Sequence, residues 1–87
     1  MIYLVTYDIE EDRIRTKLAK VLEGYGRRLQ KSVFLCDLTP KRCATMKATI
    51  KTLAGKDSGD IVIIPLCSGC QAKVRHLGPE TRNFEIL

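Results

Sequence analysis

Residues 27–38 read RRLQKSVFLCDL. From Leu29 to Leu38 the run is strand-like, with Val33, Leu35 and Asp37 alternating against Phe34, Cys36 and Leu38. Whether it is one bent strand or two strands joined by a tight turn decides the fold. Lys31-Ser32 is the best place for a turn. It lacks the Asn-Gly or Asp-Gly pair that short hairpins favour. The residues of this stretch leave both readings open.

Upstream, Ile2 to Tyr7 (IYLVTY) has no apolar–polar alternation and reads as a strand flanked on both faces. Residues 12–25 read as a helix, because Ile14, Leu18, Val21, Leu22 and Tyr25 recur at helical spacing. Asp12 is placed to accept the free amide hydrogens at its start, and Gly24 and Gly26 stop it. Downstream, Thr39-Pro40 supplies a hydroxyl cap followed by a proline at the first helical position. Cys43, Met46, Ile50 and Leu53 line the apolar face of that second helix, and Gly55 closes it. KDSGD (56–60) reads as a turn and IVIIPL (61–66) as a strand, with Pro65 suited to a strand end or an edge. KVRHLG (73–78) is a candidate short strand, followed by a polar loop and a weakly specified FEIL tail. Two helices against one sheet in this order form a split βαβ arrangement of the α+β class, the ferredoxin-like fold. That fold requires the hairpin at 27–38.

Eighty-seven residues make one domain, 1–87. A chain this short buries only about 60–65% of its unfolded surface, so self-association would add useful stability. There is no basic n-region with a cleavage site and no apolar run long enough to cross a bilayer, so a soluble cytoplasmic protein without membrane contact is expected. The net charge is +5 and unevenly spread. Arg13, Arg15, Lys17, Lys20, Arg27, Arg28 and Lys31 face one acid, Glu23, between residues 13 and 31. Residues 41–56 hold five basic residues and no acid. Clustered positive charge is the footprint of a nucleic-acid partner, and equally that of a solvated helix face. The cysteines are Cys36, Cys43, Cys67 and Cys70. Cys67-Ser-Gly-Cys70 is a lone CxxC, for which inert thiols, half of a structural zinc site or a local disulfide all remain readings. His76, the single histidine, reads as a surface or packing residue.

Asp8 stands where the first strand ends. A carboxylate there caps a helix or ends a turn, and on the residues alone that is the commoner role. It is also a place for a ligand to magnesium, a hard cation that often takes one or two protein carboxylates and the substrate phosphate. A single chain shows no second acid to pair with it, and a two-fold dimer would bring in its own copy. Glu10, Glu11 and Asp12 read as the acidic first turn of the helix. Nothing else in the chain has the pattern of a nucleophile elbow, a P-loop or a cysteine–histidine pair.

YDI at 7–9, the basic helix RIRTKLAKVLEGYG at 13–26, RRLQKSVFLCDL at 27–38 and IIPLC at 63–67 carry a resemblance. Together they resemble the CRISPR-associated endoribonuclease/endonuclease family, the smaller of the two universal spacer-acquisition proteins of CRISPR systems. The resemblance spans residues 1–67. It implies a ferredoxin-like βαββαβ core with a tight hairpin at 27–38 and a short extra C-terminal strand that pairs with a partner's sheet in a homodimer. It implies that Asp8 of both chains binds a divalent ion, Mg2+ or another such as Mn2+, in a shared cleft. It implies cleavage of single-stranded RNA, double-stranded DNA or both, and a bridging role with the larger integrase of the adaptation complex. Tyr7, Arg28 and Phe34 match positions linked to activity alongside Asp8. Arg13 and Arg15 match positions that contact nucleic acid, a set to which Lys17, Arg27 and Arg28 are added. A stand-alone, toxin-like endoribonuclease on the same fold is the alternative. The family often has glycine where Cys36 or Asp37 stands, and the resemblance assigns no role to Cys67 or Cys70.

Overall fold

The computed structural model describes residues 1–55, 60–75 and 77. Its elements are β1 (Ile2–Asp8), α1 (Asp12–Glu23), β2 (Arg27–Gln30), β3 (Val33–Asp37), α2 (Pro40–Ala54), β4 (Asp60–Leu66) and α3 (Ser68–Gln71). The strands form one antiparallel sheet in the order β2-β3-β1-β4. This is the ferredoxin-like arrangement, with β1 central and Pro65 on an edge strand where its missing N–H costs little.

The stretch at 27–38 is therefore a hairpin, turning at Lys31-Ser32. Among the described residues no non-glycine residue has positive φ, so the turn is not of the primed type that Asn-Gly would announce. Two other features close it. Register shifts between Arg28 and Gln30, a bulge that adds local twist. Tyr7 then reaches across from β1: its N–H donates to the Ser32 carbonyl at 3.1 Å and its hydroxyl to the Lys31 carbonyl at 3.4 Å. A weak local signal is completed by a distant strand.

Both long helices pack on one face of the sheet. Val5, Tyr7 and Ile9, with Phe34, Cys36 and Leu38, meet Leu18 and Leu22 of α1 and Cys43, Met46 and Ile50 of α2 in a single core. Gly26 makes this packing close. A Cβ there would lie 2.2 Å from the Leu35 carbonyl oxygen and 2.7 Å from Cys36 Sγ. Arg42 ties the helix ends together, stacking 5.0 Å over the Tyr25 ring and donating to the Gly24 carbonyl at 3.4 Å. Thr39 caps α2 by accepting from the Arg42 N–H at 3.2 Å, with Pro40 at the first helical position, as the sequence suggests.

Two expectations are corrected. Asp12 is the first residue of α1 and not its cap; Glu11 occupies the cap position without a side-chain bond, and Asp12 instead pairs with Arg15. After CSGC the described chain forms no strand. Ser68–Gln71 is one helical turn, and the amides of Lys73 and Val74 bond back to Cys70 and Gln71 at 3.1 and 3.3 Å, which leaves them unavailable to a sheet. The KDSGD turn, except Asp60, and the FEIL tail with any extra strand lie outside the described residues. Among the described residues no helix is long and apolar enough to cross a membrane.

Candidate metal centre and nucleic-acid interface

Successive residues of a strand point to opposite faces of the sheet. Tyr7 faces the helices, so Asp8 projects from the other face. On that face, away from α1 and α2, the register aligns Leu4 with Leu35 on one side and with Ile64 on the other; Leu35 is already buried, and the β4 side is open. Val62 and Ile64 are 48% and 41% exposed there, unusually open for branched apolar residues in mid-strand. At the end of this apolar strip, Asp8 is paired in register with Asp60, the first residue of β4.

Asp60 is the acid that reading the sequence missed. Residues directly opposite in an antiparallel pair have Cβ atoms about 4.5–5.5 Å apart, and like charges so placed repel. Both side chains are exposed, and among the described residues neither carboxylate has a hydrogen bond or an ion pair. Two unpartnered oxygen donors side by side have the chemistry a hard divalent cation takes. A signal for Asp60 did exist. In this topology the last core strand runs antiparallel to the first, so an acid opening the former meets an acid closing the latter.

Tyr7, Phe34 and Arg28 do converge, but on the helix side of the sheet. The Tyr7 and Phe34 rings stack with centroids 6.3 Å apart and 22° between planes, and the Arg28 guanidinium lies 5.2 Å over the Phe34 ring. Phe34 is fully buried and Tyr7 nearly so. The stack supports the backbone that ends in Asp8, and Arg28 keeps its charge at the surface. Tyr7→Phe keeps the stack and removes only the bond to Lys31. It is expected to cost no more than about 1 kcal/mol in chemical denaturation, with secondary structure unchanged by circular dichroism.

The predicted basic residues are divided by helix geometry. Arg13 and Lys17, four apart, share a face of α1 and line an open groove of about 660 Å³ with Ala48, Thr49, Thr52 and Leu53 of α2. Arg15 and Arg28 line a second groove of about 360 Å³ with Lys20 and Lys31, two lysines outside the predicted set. Arg27 pairs in register with Leu35 and so belongs to the face away from α1 and α2. Arg15 is also occupied locally. Its Nη1 donates to the Ile9 carbonyl at 2.9 Å and the Glu10 carbonyl at 3.3 Å, and its Nη2 bonds the Asp12 carboxylate. It fastens the loop that follows Asp8. Arg13 is freer, with its side chain 77% exposed and only a 3.9 Å pairing with Glu11.

The profile of the family described as "CRISPR associated protein Cas2" matches residues 1–74. The chain belongs to the Cas2 family. It is similar to the CRISPR-associated endoribonuclease Cas2 1 of Chloroflexus aurantiacus, with 40% identity over 86 residues that cover 93% of this chain and 92% of that protein. The crystal structure of Streptococcus pyogenes Cas2 superposes with a TM-score of 0.80 at 30% identity, covering 90% of this chain and 100% of that one. A chain of a structure described as a partial Cas6-RT-Cas1–Cas2 complex superposes with a TM-score of 0.78 at 26% identity, covering 94% of this chain and 98% of that one. The Cas2 family thus accounts for the fold and for the four sequence blocks that carried the resemblance.

Proposed function

We propose that this Cas2-family protein is a divalent-metal-dependent endonuclease, cutting RNA or DNA phosphodiesters, that works as a homodimer and also bridges DNA and the larger integrase in CRISPR spacer acquisition. The observation that carries the nuclease reading is the unpartnered Asp8–Asp60 pair at the end of the exposed apolar strip of β4. The names of the relatives point to nucleic-acid cleavage, and the complex that contains a similar chain points to the integrase partner.

Two such faces packed together about a two-fold axis bury Leu4, Val62 and Ile64 and bring the two Asp8 ends towards each other. Asp8 and Asp60 would hold Mg2+, or Mn2+ in its place. When bound, such an ion lowers the pKa of a coordinated water and neutralises charge on phosphoryl oxygens. The chain's own part is to hold Asp8 at the end of the central strand β1, stiffened by the Tyr7–Phe34–Arg28 stack and by the Arg15 clamp, with Asp60 beside it at the start of the edge strand β4. Arg13, Lys17, Lys20, Arg28 and Lys31 contact phosphates without reading sequence.

Ile64→Arg tests the dimer and the activity together. Placing a charge in the centre of the apolar face should weaken self-association by about a hundredfold. Sedimentation would then show monomers where wild type is dimeric, and magnesium-dependent cleavage of labelled RNA and duplex DNA should fall with dissociation and return at high protein concentration. Ala44→Arg, on the exposed side of α2, should leave the dimer intact. An Ile64→Arg monomer as active per chain as wild type would overturn the two-fold site.

A further inference from the structure

We propose that Cys67 and Cys70 form a thiol–disulfide exchange site, in which Cys67 attacks low-molecular-weight disulfides and Cys70 resolves the product. The site lies apart from the metal centre and does not depend on the nuclease reading.

The geometry comes from the turn that ends β4. Cys67 is extended, with φ −72° and ψ 166°, and the next four residues make a single helical turn. This places Cys70 one turn above Cys67, and Cys67 Sγ accepts the Cys70 N–H at 3.4 Å. The turn is held before any bond forms between the sulfurs. The Gln71 N–H donates to the Cys67 carbonyl at 2.9 Å, and the Gln71 side-chain amide clamps the Leu66 carbonyl at 2.8 Å. Both thiols are free and exposed. There is no acid from residue 61 to residue 75, while Lys73 and Arg75 add positive charge to the segment. A partly exposed, electropositive setting is where thiolates are reactive.

The two thiols are also differentiated. The Cys70 backbone N–H, followed by the Cys70 S–H, stabilises the Cys67 thiolate and lowers its pKa. The same sulfur contact, in which Cys70 is the donor, raises Cys70. One cysteine is thus the nucleophile and the other keeps its proton until needed. Cys36 and Cys43 are buried, and burial pushes the Cys36 thiol up to about 11. They take no part. Two thiolates are only half of a tetrahedral zinc set, which favours exchange chemistry over a zinc site within one chain.

The steps balance. The Cys67 thiolate attacks one sulfur of glutathione disulfide; that S–S bond breaks, a Cys67–glutathione disulfide forms, and glutathione leaves as thiolate. Cys70 then loses its proton to water and attacks the Cys67 sulfur. The Cys67–Cys70 disulfide forms and the second glutathione leaves, taking up a proton. Two protein thiols are oxidised and one glutathione disulfide is reduced to two glutathione thiols.

The full-length protein is equilibrated in glutathione buffers of increasing oxidised fraction, quenched in acid, alkylated while unfolded and mapped by mass spectrometry. Wild type should lose labelling at Cys67 and Cys70 together, with Cys36 and Cys43 still labelled. Cys70→Ser should accumulate glutathione on Cys67, and Cys67→Ser should modify Cys70 several-fold more slowly. Equal glutathionylation in the two variants would overturn the pairing. So would a wild type that stays reduced in excess glutathione disulfide, or one that carries stoichiometric zinc on these thiols.

Discussion

Replacing Asp8 by alanine is expected to abolish metal-dependent cleavage while leaving the chain folded, dimeric and able to bind nucleic acid. Asp8 is exposed at the end of β1, and no described residue bonds to its carboxylate, so its replacement breaks no hydrogen bond or ion pair among the described residues. What it removes is one of the two oxygen donors per chain in the proposed centre, which in the proposed dimer, with two copies near one axis, would lose half of its protein charge. Asp60→Asn is the discriminating companion. It keeps the size and removes the charge, so divalent-ion affinity by calorimetry should fall by about tenfold or more, since ligand charge count tunes affinity. Without metal, Asp60→Asn should melt slightly higher than wild type, because the like-charge pair across β1 and β4 is relieved. Added Mg2+ or Mn2+ should stabilise wild type more than Asp60→Asn. Undiminished metal affinity in both variants would sink the assigned centre, and full cleavage by pure Asp8→Ala would sink the catalytic role of that carboxylate.

Gly26→Ala should damage the fold more than any other single methyl addition at a described glycine. The new Cβ would sit 2.2 Å from the Leu35 carbonyl oxygen and 2.8 Å from the Cys36 Cα, and both are backbone atoms of an inner strand. A side-chain rotation cannot relieve that, so the α1–β2 connection has to move off the sheet. Overpacking that shifts backbone typically costs about 1–3 kcal/mol, and a clash with two backbone atoms puts Gly26→Ala at the upper end, about 3 kcal/mol. In a chain of this size that lowers the midpoint by roughly 12 °C or more. Gly24 is the control. It is two residues away in the same turn, has helical φ and ψ, and would meet only the Val21 carbonyl oxygen at 3.3 Å. Gly24→Ala should change stability by about 0.5 kcal/mol or less. Similar melting curves for the two variants would show that the close approach at Gly26 is not what holds the hairpin to the helix.

The two glycines show what could be read from the chain and what could not. As helix stops they look alike in the sequence, and both do end α1. Only the packed structure separates them, because the close approach at Gly26 comes from a strand nine residues further on. Arg15 makes a similar point. Its spacing places it off the apolar stripe of α1, facing solvent or phosphate, yet the carbonyls of Ile9 and Glu10 turn it into a clamp on the loop after Asp8. Local periodicity tells which way a side chain leaves a helix, not which neighbouring carbonyl it meets.

The sequence by itself determined the elements: a buried first strand, two helices with their apolar faces, the Thr39-Pro40 start of α2, and an apolar strand reaching Leu66. These are legible because periodicity, capping and proline geometry act over a few residues. It also marked Asp8 as the acid to follow. The tertiary structure decided the rest. The hairpin at 27–38 has no strong turn residues, and it is closed by a bulge and by Tyr7 bonding to Lys31 and Ser32 from a strand far away in the chain. The partner of Asp8 is Asp60, fifty-two positions along and adjacent only because β4 runs antiparallel beside β1. Neither pairing leaves a local trace, since each depends on strand register, and register is fixed by which side chains the shared core buries.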